Sequence, residues 1–349
     1  MSLGNVWFVL VGVLIAGYAI FDGFDLGVGT LYPFLGKSED DKAVMRRSIG
    51  PVWDGNEVWL LTAGGALFAA FPPVYATVFS GFYIALMLLL FALIFRAAAL
   101  EFRHHDPAWA GFWDWAFFLG SAIPSLLFGV AVGNIIRGLP LTPEGEFIAG
   151  GGTPVFLGNL AAALNPYSLV IGILGLVWIV LQGTAWLGMK TTGDLHERVS
   201  RTRGRMLVAF AITFALATAA TALLVPAAFD AATGSVAGWI FIVLVLVGAS
   251  VTWMSGRSGA DRRAFYGSSL TGVAMVGIWA ASIFPALVPS TGSGPALTIV
   301  NSASSQLTLT VMLIIAAIGV PLVLFYFFLI YRTYAGRIDP GSLRAGDGY

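Results

Sequence analysis

Nine runs of apolar residues, each near the length of a bilayer crossing, set what this 349-residue chain can fold into. They lie at about 6–26, 56–73, 77–100, 112–136, 167–189, 206–228, 236–255, 265–288 and 306–331. A helix needs roughly 20 apolar residues to cross the hydrocarbon core. Inside that core every backbone amide must find a partner within the protein, so only helices and closed barrels span it. Barrel strands alternate apolar and polar residues, whereas these runs are continuous. The chain is 58% hydrophobic and 10% charged, against roughly 25% charged in a soluble domain. The expected fold class is all-α, a polytopic membrane protein with about nine transmembrane helices. Residues 1–349 read as one integral membrane domain without a strong internal repeat. Gly150-Gly151-Gly152 with Pro140, Pro143 and Pro154 mark 137–166 as a surface loop.

Charge tests the count of runs. When alternate loops are assigned to opposite sides, one side receives 17 of the 18 Lys and Arg residues, and the other receives only Arg137. Basic loops stay cytoplasmic. The N-terminus is therefore expected outside and the C-terminus inside. Met1 to Trp7 carries no basic residue and does not read as a cleavable signal. Net charge is zero, which argues against a nucleic-acid partner. The lack of cysteine excludes disulfides, thiolate metal sites and iron–sulfur clusters.

Two motifs set carboxylates against these runs. Phe21-Asp22-Gly23-Phe24-Asp25-Leu26-Gly27 closes the first run, and Pro51-Val52-Trp53-Asp54-Gly55-Asn56-Glu57-Val58-Trp59 opens the second. In each, two acids stand three residues apart, so a helix puts both on one face. Ionisable groups in or near a bilayer are costly and are functional candidates by default. Counted from Val6, Asp22 lies about 24 Å and Asp25 about 28 Å along the helix. Both fall near the inner edge of a core roughly 30 Å thick. Asp54 and Glu57 stand in the first turn of the second run, on the same side. Acids clustered there suit proton uptake from the cytoplasm. A plainer reading stays open. Asp54 and Glu57 have capping-box spacing, and Asp22 and Asp25 suit a hydrated helix end.

Other polar residues read more simply. Arg96 and Glu101 close the third run and read as an exposed interfacial pair, with pairing to a partner subunit as the alternative. Asp114, between Trp113 and Trp115, reads as an interface anchor. Gln182 and Thr184 are expected to bond between helices. Ser304, Ser305, Gln306, Thr308 and Thr310 open the last run as a helix start. His104, His105 and His196 all fall in loops. Met87, Met275 and Met312 lie in runs without a histidine to complete an axial pair, so no haem is expected in this chain.

The two acidic motifs, extended to Val28-Gly29 and Leu60, resemble signature stretches of subunit II of cytochrome bd quinol oxidases (the CydB family). Further similarity lies in Gly64-Gly65-Ala66-Leu67-Phe68-Ala69-Ala70, Phe79-Ser80-Gly81-Phe82-Tyr83, Asn165-Pro166-Tyr167, Gln182-Gly183 and Ser304-Ser305-Gln306-Leu307-Thr308-Leu309. It runs nearly the whole length. The resemblance implies a respiratory complex of the prokaryotic plasma membrane that oxidises quinol and reduces dioxygen to water. Subunit I would carry two haems b and one haem d, and small single-span accessory subunits join some complexes. Subunit II would be haem-free, with two four-helix bundles and a peripheral helix in membrane lipid. Asp54 matches the family acid tied to a proton path, and Asp25 its neighbour in the first motif. Asp22 and Glu57 would extend that path, although other members hold Gln at the Glu57 position. Trp59 matches a position facing the partner near an oxygen route. The segment between the sixth and seventh runs is short here, so external contacts made by longer members have no counterpart.

The alternative function is a proton-coupled secondary transporter acting alone. It suits membrane carboxylates but predicts polar groups at mid-membrane, where this chain has no charge.

Overall fold

A computed structural model describes residues 2–103, 105, 107–149 and 155–338 of the chain. The first run becomes α1 (Leu3–Leu35), whose N-cap Ser2 accepts from the amide of Asn5. The short polar α2 (Glu39–Ile49) opens on a capping box formed by Ser38 and Asp41. Then come α3 (Trp53–Ala70), α4 (Pro72–Gly81), α5 (Tyr83–Phe102), a 3₁₀ turn at Pro107–Trp109 and α6 (Ala110–Arg137). The second half holds α7 (Val155–Ala163), α8 (Pro166–Lys190), α9 (Gly193–Leu224), α10 (Pro226–Thr233), α11 (Val236–Arg257) and α12 (Asp261–Ile283). A two-stranded antiparallel ribbon, β1 (Ala286–Val288) with β2 (Leu297–Thr298), leads through α13 (Ile299–Ser302) to α14 (Gln306–Thr333).

Among the described residues, eight helices are long and apolar enough to cross a membrane: α1, α5, α6, α8, α9, α11, α12 and α14. The expected run at 56–73 is α3, 18 residues long, whose first turn and a half carries Asp54, Asn56 and Glu57 in place of apolar residues. The expected run at 77–100 is divided. Pro72 and Pro73 start α4, because proline suits the first turn of a helix, and α5 begins only at Tyr83. The run expected at 265–288 stops at Ile283, and the chain continues as β1. The surface loop expected at 137–166 contains α7, while its Gly150–Pro154 stretch lies outside the described residues.

The helices pack as two groups. α1, α3, α5 and α6 form one, and α8, α9, α11 and α12 the other, with α8 against both α1 and α6. α14 lies along the edges of α1 and α3, with Tyr331 reaching Trp186 of α8, and keeps most of its apolar surface exposed. This is the arrangement of two four-helix bundles and a peripheral helix. The seam between the groups depends on glycine. A Cβ on Gly27 of α1 would come within 2.2 Å of the Ile179 carbonyl oxygen, and one on Gly183 of α8 within 2.5 Å of the Gly27 backbone. Small residues let helix backbones approach this closely. Farther along, Trp178 of α8 donates to the carbonyl of Ser268 on α12 at 3.1 Å, and Phe24 stacks on Trp186 at 4.0 Å.

Candidate functional site

One end of the fold gathers the charge, and α2 lies across it as a tie. Lys42 reaches Asp114 of α6 at 2.6 Å, and Arg198 of α9 reaches Asp41 at 2.6 Å. Arg103, at the end of α5, holds Glu39 at 2.7 Å and Asp114 at 2.9 Å. Arg203 of α9 meets Asp261 of α12 at 2.9 Å. Arg46 also contacts the Tyr32 hydroxyl. Partial burial pushes the Glu39 carboxyl up, but the hydrogen bond and charge of Arg103, with Lys42, outweigh this and hold it below its ordinary value. Asp114 is therefore an ion-pair partner of two cations rather than a simple interface anchor.

Inside this rim lies a buried ionic cluster. Asp22 and Asp25, three residues apart on α1, are both fully buried. Arg96 of α5, 1% exposed, donates to Asp22 Oδ1 at 2.6 Å and to Glu57 Oε1 at 3.1 Å. Asp25 is held differently. Asn56 of α3 donates to its Oδ2 at 2.7 Å and to the Phe21 carbonyl at 3.3 Å, and the Tyr331 hydroxyl of α14 donates to Asn56 Oδ1 at 2.7 Å. Asp25 Oδ1 and Arg96 Nε are buried without a hydrogen-bond partner among the described residues. Asp54 stays exposed at the start of α3 and forms no ion pair among the described residues.

Several expectations are corrected here. The capping box of Asp54 and Glu57 does not form. Val52 is the N-cap of α3, no side chain caps it, and Glu57 turns to Arg96 instead. Arg96 is not an exposed partner of Glu101. Five residues apart, the two point about 140° apart around a helix, and Arg96 faces the bundle interior. Gln182 does bond between helices, donating to Ser269 Oγ at 2.9 Å, whereas Thr184 bonds within its own helix, to the Leu181 carbonyl. Ser305 caps α14 and Ser304 Oγ donates to the Ala69 carbonyl, consistent with a helix start. The Trp59 indole packs over Gly17 of α1, stacks on Phe21 at 5.4 Å and meets Phe327 of α14 edge-on at 5.8 Å.

Three residues of the cluster escaped the sequence reading in their proper roles: Arg96, Asn56 and Tyr331. For Arg96 a signal was present, since it interrupts the apolar stretch Phe91-Ala92-Leu93-Ile94-Phe95 and Ala97-Ala98-Ala99. An arginine in such a stretch pairs with an acid or carries function.

Residues 3–334 match the family described as cytochrome bd terminal oxidase subunit II. The chain belongs to this family. It is 37% identical to cytochrome bd-I ubiquinol oxidase subunit 2 of Escherichia coli K12, over 95% of this chain and 94% of that one. It is 33% identical to cytochrome bd ubiquinol oxidase subunit 2 of Bacillus subtilis, over 97% and 98%. A solved structure of bd oxidase from Geobacillus thermodenitrificans matches with a TM-score of 0.78 at 16% identity, over 96% of this chain and 99% of that chain. That likeness confirms the all-α membrane fold.

Two histidines of this subunit II chain lie at its charged end. His105 Nδ1 lies 2.9 Å from the Glu101 carbonyl, and His196 Nε2 lies 3.8 Å from Asp261 Oδ2 at the charged end. His104 lies outside the described residues.

Proposed function

We propose that this chain is the haem-free subunit of a quinol:oxygen oxidoreductase in a prokaryotic plasma membrane, its N-terminus outside and its C-terminus cytoplasmic. It braces a haem-bearing subunit I, where two haems b and one haem d carry electrons from quinol to dioxygen. Small single-span accessory subunits and lipid complete the assembly. The exposed apolar face of α3, with Val58, Leu61 and Phe68 beside Trp59, is where the partner and its oxygen route would meet this chain.

Its second task is to deliver protons from the cytoplasm, and one observation carries this reading. Asp22, Asp25 and Glu57 gather around a single arginine, so the fully ionised cluster bears two more negative charges than Arg96 balances. Uncompensated charge is costly away from water, and a proton is the compensation that can also be passed on. Asp54, exposed, would be the entry; Glu57 lies one turn deeper; Asp22 and Asp25 are the buried end. The proton-coupled transporter is not favoured, since the relatives that match nearly the whole chain are oxidase subunits.

Asp25→Asn in the assembled oxidase tests the delivery role. Quinol-driven oxygen consumption is expected to fall tenfold or more, with haem absorption retained, on the scale of losing a positioned proton-transfer group. Asp54→Asn should slow turnover in the same sense. Unchanged turnover and unchanged voltage generation in both variants would remove the proton role while leaving the bracing role.

A further inference from the structure

At the charged end Lys42, Arg96, Arg103, Arg198 and Arg203 each hold a carboxylate. Among the described residues Arg47 and Lys190 form no ion pair, and both line one cavity of about 60 Å³ between α2, the start of α3, α8 and α14. Lys190 is 7% exposed. Its ammonium donates to the Tyr334 carbonyl at 2.6 Å and lies 4.8 Å over the Trp186 ring. Its own carbonyl accepts from the Ile338 amide at 2.8 Å. Arg47 Nη1 is buried without a hydrogen-bond partner among the described residues. No carboxylate lines the cavity among the described residues.

Two cations facing one enclosed space repel each other and are costly to desolvate without an anion. The start of α3 adds to the positive potential. Val52 borders the cavity, and no side chain caps that helix end, so its first amides carry the positive pole of the helix. Each water-sized atom takes roughly 10–15 Å³ by this measure, so the space suits a group of about five heavy atoms. A guanidinium fork and an ammonium together favour a phosphate. Basic pockets between membrane helices take phosphate headgroups in this way. We infer that this cavity binds a phosphate-bearing anion, either the headgroup of an anionic phospholipid or free phosphate. Tyr331 lines the same cavity and donates to Asn56, which holds Asp25, so the occupant touches the end of the hydrogen-bond chain that supports the acid cluster.

The purified complex, exchanged exhaustively into phosphorus-free detergent and buffer, tests this by phosphorus assay and native mass spectrometry. Wild type is expected to retain at least one more phosphorus per complex than Arg47→Gln/Lys190→Gln, with size-exclusion elution showing that both assemble. A retained phospholipid mass assigns the headgroup. An adduct that forms only on adding inorganic phosphate, and only in wild type, assigns free phosphate. Equal phosphorus in the two proteins, with no phosphate adduct specific to wild type, overturns the site. If the double variant does not assemble, Arg47→Gln alone takes its place: loss of one phosphorus supports the site and full retention overturns it.

Discussion

Arg96 of α5 donates to Asp22 of α1 at 2.6 Å, and both side chains are sealed from solvent. The pair joins helices 74 residues apart in sequence. Removing one partner of a buried pair strands the other charge and costs about 3–5 kcal/mol. Arg96→Gln is therefore expected to lower the unfolding free energy by about that much. Replacing both residues, as Asp22→Asn/Arg96→Gln, should recover part of the loss. Chemical unfolding of the single and double variants checks this, and additive losses would show that the two residues act independently.

The glycine seam between α1 and α8 makes the next case. A methyl group at Gly183 meets backbone rather than a movable side chain. Gly183→Ala should cost about 1–3 kcal/mol through overpacking and lower the midpoint of thermal unfolding. Gly204, on the exposed face of α9, has nothing within 4 Å of an added Cβ. Gly204→Ala should instead raise stability by about 0.4–1 kcal/mol, by restricting the unfolded chain.

Glu39 provides a pH dependence outside the spanning helices. Burial pushes its carboxyl up, but the hydrogen bond and charge of Arg103, with the charge of Lys42, together outweigh this and hold it below the ordinary value. A depressed folded value means that the folded state favours the ionised form. The contribution is complete above the unfolded value, about pH 4.3, and is lost as pH falls through the folded value. Melting curves between pH 7 and pH 3 should show wild type losing stability faster than Glu39→Gln across that acidic window. Parallel curves would exclude the contribution.

Tyr331 is the most easily read support of the acid cluster. Tyr331→Phe leaves the buried Asn56 Oδ1 without its donor. Such a loss costs about 1–3 kcal/mol. The same variant should slow oxygen consumption less than Asp25→Asn does, because the acid itself remains. A larger kinetic loss than that of Asp25→Asn would place the key group on α14.

The spans were legible because a bilayer asks for one simple thing, a long apolar run, and the chain supplies it at nearly every helix. The charged end was legible for the same reason, since basic loops collect on one side. The contacts within that end were not. Arg96 finds Asp22 and Glu57 only because α5 and α3 both lie beside α1, and helix adjacency is not written in hydropathy. Asn56 and Tyr331 look like ordinary helix residues until α14 is laid against α3. The capping reading of Asp54 failed for a local reason: α3 begins two residues earlier than the motif implied, so the acid falls inside the first turn. The division between α3 and α4 was signalled by Pro72-Pro73, whereas the break at Phe82 between α4 and α5 is hidden among apolar residues.

The clasp at Lys190 has a consequence for biogenesis. Ribosomes deliver α14 after both bundles, and that helix has few neighbours to hold it. Its far end is fastened when the Tyr334 carbonyl meets the Lys190 ammonium and the Ile338 amide meets the Lys190 carbonyl. A nascent chain halted before these residues would carry both bundles but leave that lysine ungripped, so a mid-chain side chain registers whether α14 has been made.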